Sequence, residues 1–174
     1  MPTIRPSQPL DLPAITAIYH HHVLHGTGTF EEEPPSLPEM ATRRDDVLRK
    51  NLPWLVAESD DGTILGYAYA NWFKPRPAYR FSAEDSIYVA DHARGQGIGR
   101  LLLDALCHEC EACGVRKIIA VIGDSNNVGS VGVHRAAGFD HVGTLRSVGW
   151  KFDRWLDVVM MEKSLGAGDS SSPE

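Results

Sequence analysis

Residues 87–106, IYVADHARGQGIGRLLLDAL, combine a β-strand pattern, a glycine-rich turn and an amphipathic helix. Glycine has no side chain, so the backbone amides of the turn at residues 95–99 can approach a ligand closely. These amides precede a helix N-terminus, where unpaired N–H groups and the helix dipole favour an anion. Arg94 and Arg100 flank the turn with positive charge. The segment therefore predicts a site for a phosphate or pyrophosphate group.

Two common nucleotide motifs fit this turn less well. The pattern G-x-x-x-x-G-K-[ST] is absent from the chain, which argues against a P-loop kinase or ATPase. The third glycine of the turn comes one residue too early for the dinucleotide-binding fingerprint. A glycine-rich turn without a ligand is the remaining alternative when the three glycines are considered by themselves.

On both sides of this segment the sequence pattern predicts alternating strands and helices, and hence a mixed α/β domain. The run IIAVI at residues 118–122 is continuously apolar, which is typical of a strand buried on both faces. The other predicted strands cover residues 3–5, 54–58, 63–70, 86–90, 143–152 and 155–163. The predicted helices are one capped by Asp11 and ended by Gly26, and those at residues 38–48, 95–113 and 127–137. We expect a single domain over residues 1–165, followed by a flexible C-terminal tail at residues 166–174 (GAGDSSSPE).

Composition narrows the function classes. The 174 residues are 43% hydrophobic and 23% charged, which is enough for one core and excludes wholesale disorder. The net charge of −6 makes a general attraction to nucleic acid or to an anionic membrane improbable. Three cysteines are too few for a disulfide scaffold, and no apolar run approaches the roughly 18 residues of a membrane span. We therefore expect a cytoplasmic protein that binds neither nucleic acid nor membranes.

The turn at residues 94–99 (RGQGIG) resembles the R/Q-x-x-G-x-G/A coenzyme A loop of the GNAT superfamily of N-acetyltransferases. Further segments, in the same order, extend the likeness to its phosphinothricin and methionine sulfoximine or sulfone N-acetyltransferase group. They are residues 84–89 (EDSIYV), 121–127 (VIGDSNN), 130–134, 138–139 and 151–157 (KFDRWLD). The resemblance implies the GNAT fold, with a mixed central sheet that is splayed in the middle and flanked by helices. It also implies acetyl-CoA as cosubstrate, no metal, and a homodimer.

The resemblance implies that the cofactor's pyrophosphate lies on the turn and that its pantetheine arm pairs with the strand before it. An N–H group near Val89 then donates to the thioester carbonyl. One extra residue after Ile122, relative to the shortest family members, leaves open which of Asn126 and Asn127 meets the cofactor. Asn127 is favoured because it keeps an N-x-x-S spacing to Ser130. The implied cofactor-binding residues are Ile87, Tyr88, Val89, Arg94, Gly95, Gln96, Gly97, Ile98, Gly99, Arg100, Asn127 and Ser130.

Two residues carry the implied chemistry. Glu84, just before the predicted strand, is the implied general base that makes the acceptor amine neutral, through a water molecule. Asp85 is its nearby competitor, and a solvated carboxylate at a strand start is the alternative. His134 occupies a helix position where many superfamily members have a tyrosine, so a catalytic or thiol-contacting role is expected. A helix histidine with local hydrogen bonds is the alternative there.

The acceptor side is predicted from two segments. The loop at residues 71–81 (NWFKPRPAYRF) places cations beside aromatics, which suits a clamp for the carboxylate of an amino acid. Within it Arg80 is the first choice for the clamp and Arg76 the second. The predicted walls are Tyr79 and Trp72, together with Phe30 and Glu31, which resemble the family's substrate-side loop.

The predicted function is therefore acetyl-CoA-dependent acetylation of the α-amino group of a small amino acid or analogue. One alternative is another acceptor, such as a polyamine, an aminoglycoside or a protein N-terminus. The other is a coenzyme A sensor without catalysis. The spacing C-x2-C-x2-C at residues 107–113 lies on one helix and cannot wrap a metal cluster, so no metal site is predicted.

Overall fold

The computed structural model describes residues 1–173, in which seven strands form one mixed sheet. The strands are β1 (Thr3–Pro6), β2 (Trp54–Glu58), β3 (Ile64–Trp72), β4 (Ser82–Val89), β5 (Lys117–Gly123), β6 (Asp140–Lys151) and β7 (Arg154–Ser164). Their spatial order is β1-β2-β3-β4-β5-β7-β6. The α-helices are α1 (Leu12–His25), α2 (Leu37–Arg49), α3 (Ile98–Ala112) and α4 (Val128–Ala136).

The sheet is splayed at its centre, as predicted. β4 and β5 form the single parallel pair among these strands, and they pair only from Ser82 with Lys117 to Asp85 with Ala120. Beyond that point β4 stays with β3 as far as Val89, while β5 stays with β7 as far as Gly123. The two halves of the sheet therefore separate and leave a gap between strands that are neighbours in the order.

The core lies between the sheet and its helices. Helix α3 buries Ile98, Leu102 and Leu106, as its apolar periodicity predicts. On the sheet, Tyr67 and Ile118 are fully buried. Burial of one such side chain contributes about 1.5–3 kcal/mol, so this packing fixes the start of α3 against the sheet.

One boundary differs from the prediction in a way that affects the site. Strand β4 begins at Ser82, four residues earlier than expected, so Glu84 lies inside the strand and not before it. The segment 82–86 (SAEDS) is polar and shows no alternation of apolar residues, which hid the strand. Its pairing with β3 and β5 on both sides makes it a strand.

The tail has contacts in the part that the structure describes, whereas Glu174 lies outside the described residues. Arg116 donates to the carbonyl oxygen of Gly168 at 3.3 Å and to that of Ser172 at 3.1 Å. The domain boundary at residue 165 and the mobility of the tail stay predictions. No helix within residues 1–173 is both long and apolar enough to cross a bilayer.

The segment between α1 and α2 is fixed against the β6–β7 side of the sheet. Lys151 is buried, and its ammonium group donates to the carbonyl oxygens of Gly26 and Thr29, each at 2.9 Å. The ring of Phe30 lies in the space left by two glycines, because a Cβ atom at Gly123 or Gly149 would overlap it. These contacts hold Phe30 at one wall of the central gap.

We expect Gly149→Ala to destabilise the protein by about 1–3 kcal/mol, since the new methyl group must displace the Phe30 ring. Gly143→Ala in the same strand is the matched control, because a Cβ atom there meets nothing within 4 Å. The free energies of unfolding are measured by chemical denaturation. Equal stability of the two variants would contradict the packing described for Phe30.

Candidate active site

A cleft of about 1230 Å³ opens where β4 and β5 separate. The end of β4, the turn before α3 and the start of α4 line it, together with the segment after α1. The structure brings most of the predicted site residues to this cleft. They are Phe30, Glu31, Glu84, Ile87, Tyr88, Val89, Arg94, Gly95, Gly97, Ile98, Gly99, Arg100, Asn127, Ser130 and His134, and Asn126 lies there as well.

The glycine-rich turn has the geometry of an anion site. Gly95 and Gly97 adopt φ angles of +73° and +80°, which cost a residue with a side chain about 1–2 kcal/mol. The amides of Arg100 and Leu101 bond to the carbonyl of Gly97, so the preceding amides are the unpaired donors of the helix N-terminus. The turn therefore presents backbone donors and open space, and it fits a pyrophosphate.

Arg94 and Arg100 flank this turn in weak ion pairs. Arg94 lies 3.5 Å from Asp91 and Arg100 lies 2.7 Å from Asp104, and both side chains are about half exposed. Exposed pairs of this kind contribute little to stability, so either guanidinium can turn to a bound anion. Gln96 does not line the cleft, since its side-chain amide donates to the carbonyl oxygen of His92 at 3.0 Å.

The free edge of β4 offers hydrogen-bonding groups to the gap. Ala90 donates its amide to the carbonyl of Leu65 on β3. Bonded pairs alternate along an antiparallel ladder, so Tyr88 is also bonded to β3, and the backbone groups of Ile87 and Val89 point to the gap. One of their four groups is taken, because Nε2 of His22 donates to the carbonyl oxygen of Val89 at 2.9 Å. The amide and carbonyl of Ile87 and the amide of Val89 remain for an extended ligand with amide groups.

Two adjacent asparagines line the cleft at the start of α4. The side-chain oxygen of Asn127 accepts the amide of Ser130 at 3.3 Å and so caps the helix. The N-x-x-S spacing is thus the spacing of an N-cap. Which of Asn126 and Asn127 meets a ligand stays a prediction.

Glu84 has the environment of a general base. It lies on β4 and lines the cleft. Burial raises the pKa of Glu84 above that of an ordinary glutamate, the negative charge of Asp85 raises it further, and the positive charge of Lys74 opposes both. A carboxylate whose pKa is raised accepts a proton from an amine more readily.

His134 has both ring nitrogens engaged. Nδ1 lies 2.7 Å from the carbonyl oxygen of Ser130, one turn back along α4, and Nε2 lies 2.9 Å from Oδ2 of Asp85. Burial lowers the pKa of His134, but the hydrogen bond and charge of Asp85 and the bond to Ser130 outweigh it, so the pKa is raised. His134 thus has the local hydrogen bonds of the alternative interpretation, and it also pairs with the residue next to Glu84.

The predicted clamp loop does not reach the cleft. Arg76, Tyr79 and Arg80 are absent from its lining, as is Trp72. The guanidinium of Arg80 lies 4.5 Å from the centre of the Phe81 ring, and it donates to the carbonyl oxygen of Pro77. Cations and aromatics that are close in sequence therefore do not form a wall of this cavity.

Sequence reasoning missed several residues that line the cleft: His22, Arg43, Tyr69, Asp124 and Arg154. Arg43 forms a two-pronged pair with Glu31, at 2.7 and 3.2 Å. Arg154 lies 2.8 Å from Asp124, which also accepts the hydroxyl of Thr27. None of these residues belongs to a motif with a fixed spacing; Arg154 lies in the segment KFDRWLD, which carried the family resemblance but no assigned role.

Within residues 1–173 no group of three or more His, Cys, Asp or Glu side chains is placed to hold a metal ion. Cys107 and Cys110 are buried inside α3, and burial raises the pKa of both thiols. They are therefore packing residues of the helix.

The acetyltransferase (GNAT) family model matches residues 15–139 of this chain. A phosphinothricin N-acetyltransferase from Alcaligenes faecalis is 54% identical over 99% of this chain and 87% of its own length. An L-methionine sulfoximine/L-methionine sulfone acetyltransferase from Pseudomonas aeruginosa is 40% identical over 94% of both chains. The crystal structure of a GNAT superfamily phosphinothricin acetyltransferase from Sinorhizobium meliloti in complex with acetyl-CoA is 44% identical. It superimposes with a TM-score of 0.97, covering 99% of this chain and 93% of that one.

The chain therefore belongs to the GNAT acetyltransferase family, and its fold is the GNAT fold. Within that family it is similar, over nearly its whole length, to the phosphinothricin and methionine sulfoximine group. The family match and the likeness to these relatives confirm the resemblance found in the sequence.

Proposed function

We propose that this protein transfers the acetyl group of acetyl-CoA to the α-amino group of a small amino acid of the phosphinothricin, methionine sulfoximine or methionine sulfone type. The observation that carries the proposal is the position of Glu84. It is a partly buried carboxylate with a raised pKa, in the same cleft as the anion-binding turn and the free edge of β4. The activities of these relatives support the same acceptor class.

The cofactor site supports acetyl-CoA. In this proposal the amides at residues 95–99, with Arg94 and Arg100, bind its pyrophosphate. The gap-facing groups of Ile87 and Val89 bond to the amides of its pantetheine arm. The amide of Val89 is the proposed donor to the thioester oxygen, where negative charge develops during attack.

The reaction proceeds by direct transfer. Glu84 takes a proton from the acceptor ammonium group through water, so the amine nitrogen becomes neutral. That nitrogen attacks the thioester carbonyl carbon, a C–N bond forms, the second proton of the nitrogen passes to water, and the C–S bond breaks as the thiolate of coenzyme A leaves. A thiolate whose thiol has a pKa near 8.5 is a good leaving group, and after it leaves it takes a proton from water near neutral pH. His134 contributes no proton directly in this scheme, because both of its ring nitrogens are bonded.

The acceptor end of the cleft suits a zwitterion. Arg43, Glu84, Glu31 and Tyr69 all line the cleft. Burial raises the pKa of the Tyr69 phenol, the positive charge of Arg43 opposes this rise, and the negative charges of Glu84 and Glu31 add to it. The guanidinium of Arg43 can donate hydrogen bonds both to Glu31 and to the carboxylate of an amino acid, while Glu84 faces the amino group. This arrangement supports Arg43 as the carboxylate clamp, in place of Arg80 and Arg76 from the loop outside the cleft. The cation also disfavours polyamine and aminoglycoside acceptors.

An exposed apolar region supports the homodimer that the family resemblance implies. It consists of side chains on strands β6 and β7 and the turn between them that are about half exposed or more. They are Val142, Leu145, Val148, Trp150, Phe152 and Trp155. Exposed apolar patches of this kind mark protein interfaces, and a second copy of the chain would cover this one.

Glu84→Gln should lower kcat by about 100-fold or more, since general base catalysis typically contributes that much. Affinity for acetyl-CoA should change little, because the carboxylate faces the acceptor. Thiol release is followed over pH with methionine sulfone as acceptor, and acetyl-CoA binding is measured by calorimetry. An unchanged pH–rate profile would reject Glu84 as the base. If no thiol release depends on the acceptor, the alternative of a coenzyme A sensor without catalysis is favoured.

Arg43→Gln should raise the KM for methionine sulfone about tenfold or more, because a charge-assisted bond to the carboxylate is lost. The KM for the decarboxylated amine of the same side chain should change far less. Arg80→Gln is the matched control, since Arg80 does not line the cleft. If the KM rises in Arg80→Gln and stays unchanged in Arg43→Gln, the carboxylate clamp lies in the loop, as the sequence predicted.

A further inference from the structure

Asp85 lies at the vertex of the splayed sheet. Its pairing with Ala120 is the last contact of the β4–β5 ladder. Adjacent residues of a strand point to opposite faces, so the carboxyl groups of Glu84 and Asp85 leave β4 in opposite directions. The Asp85 side chain is only 2% exposed and reaches His134 on α4, which is 5% exposed. A buried side-chain bond thus joins β4 to α4 at the point where the ladder ends.

The hydrogen bonds fix the number of protons in this pair. A backbone carbonyl only accepts, so Nδ1 of His134 carries the hydrogen that faces Ser130. Nε2 and Oδ2 of Asp85, 2.9 Å apart, can then bond only if one further proton lies between them. The pair therefore holds one proton between these two atoms, and the raised pKa of His134 favours its position on the ring.

The groups packed around the pair leave His134 as the counter-charge of Asp85. Oδ1 of Asp85 is buried and has no hydrogen-bond donor among residues 1–173. Helix α3 contributes the thiols of Cys107 and Cys110, which are neutral because burial raises their pKa. On β7, the ammonium group of Lys163 donates to the carbonyl of Ala137 at 2.7 Å. On the same strand as Asp85, the neighbouring charged group is that of Glu84.

We propose that Asp85 is a positioning residue that acts together with His134 to set how readily Glu84 takes up a proton. The carboxylate of Asp85 repels negative charge on Glu84, and the imidazolium of His134 offsets part of that repulsion. The pair also holds β4 against α4 where the ladder has ended, so Glu84 and the Asn127 end of α4 keep their places across the cleft. This inference rests on the proposed role of Glu84 as the base.

Substitutions at the two positions test the proposal. Asp85→Asn removes the repelling carboxylate and leaves His134 neutral. The part of the repulsion that the imidazolium did not offset is then lost, so the acidic limb of the kcat/KM profile should move to lower pH, on the order of half a unit. His134→Gln keeps an amide donor for Asp85 but removes the positive charge, so the same limb should move to higher pH. Measurements with one acceptor cancel that acceptor's own titration. The controls are Asp60→Asn and His141→Gln, at exposed positions outside the cleft.

Nitrogen NMR of the His134 ring gives a readout that does not need turnover. At pH 7 we expect an imidazolium in the wild-type protein and a neutral ring protonated at Nδ1 in Asp85→Asn. A neutral ring in the wild-type protein, limbs that do not move, or limbs that move in the same direction in both variants would overturn the proposal. If Glu84→Gln keeps full turnover, the base assignment fails instead, and the ring signals then decide separately whether the ion pair exists.

Discussion

The early end of the β4–β5 ladder is the constraint on which the site depends. A strand that loses its neighbour exposes backbone donors and acceptors, and buried groups of this kind must find other partners. Beyond Asp85, the carbonyl of Val89 accepts a hydrogen bond from the ring of His22, and the remaining gap-facing groups can bond to an extended ligand. The turn before α3 adds further backbone donors to the same cleft. The gap is therefore a missing strand that a pantetheine arm can replace, and a helix N-terminus that can hold its phosphates.

The vertex of the gap also separates two neighbouring carboxylates. Glu84 lines the cleft, where burial and like charge raise its pKa. Asp85 is buried beside it and lies 2.9 Å from His134. Because the side chains of a strand alternate between its faces, one step along β4 separates the proposed base from the carboxylate that bonds to His134. The charge of the second still acts on the first, which couples the packing of α4 to the chemistry.

Local patterns in the sequence predicted a mixed α/β domain and an anion-binding turn, and the family resemblance predicted the GNAT fold. The turn at residues 94–100 combines glycines, cations and a helix start within one short segment, and the structure places the donors of that segment around one opening. The acceptor side was predicted less well, because it is assembled from separate elements. Arg43 on α2 and Tyr69 on β3 are brought to the same cleft only by the tertiary fold, whereas Arg80 and Arg76 share a loop that does not line it. The start of β4 was missed because its polar residues 82–86 are ordered by their neighbours and not by their own pattern.

Amide hydrogen exchange, resolved by residue and followed with and without acetyl-CoA, tests the central claim most directly. The amides of Ile87, Val89 and residues 95–99 should become strongly protected when the cofactor binds, because it bonds to them. The amides of Tyr88 and Ala90, already bonded to β3, should change much less. Equal changes along the whole of β4, or none at the turn before α3, would contradict the account.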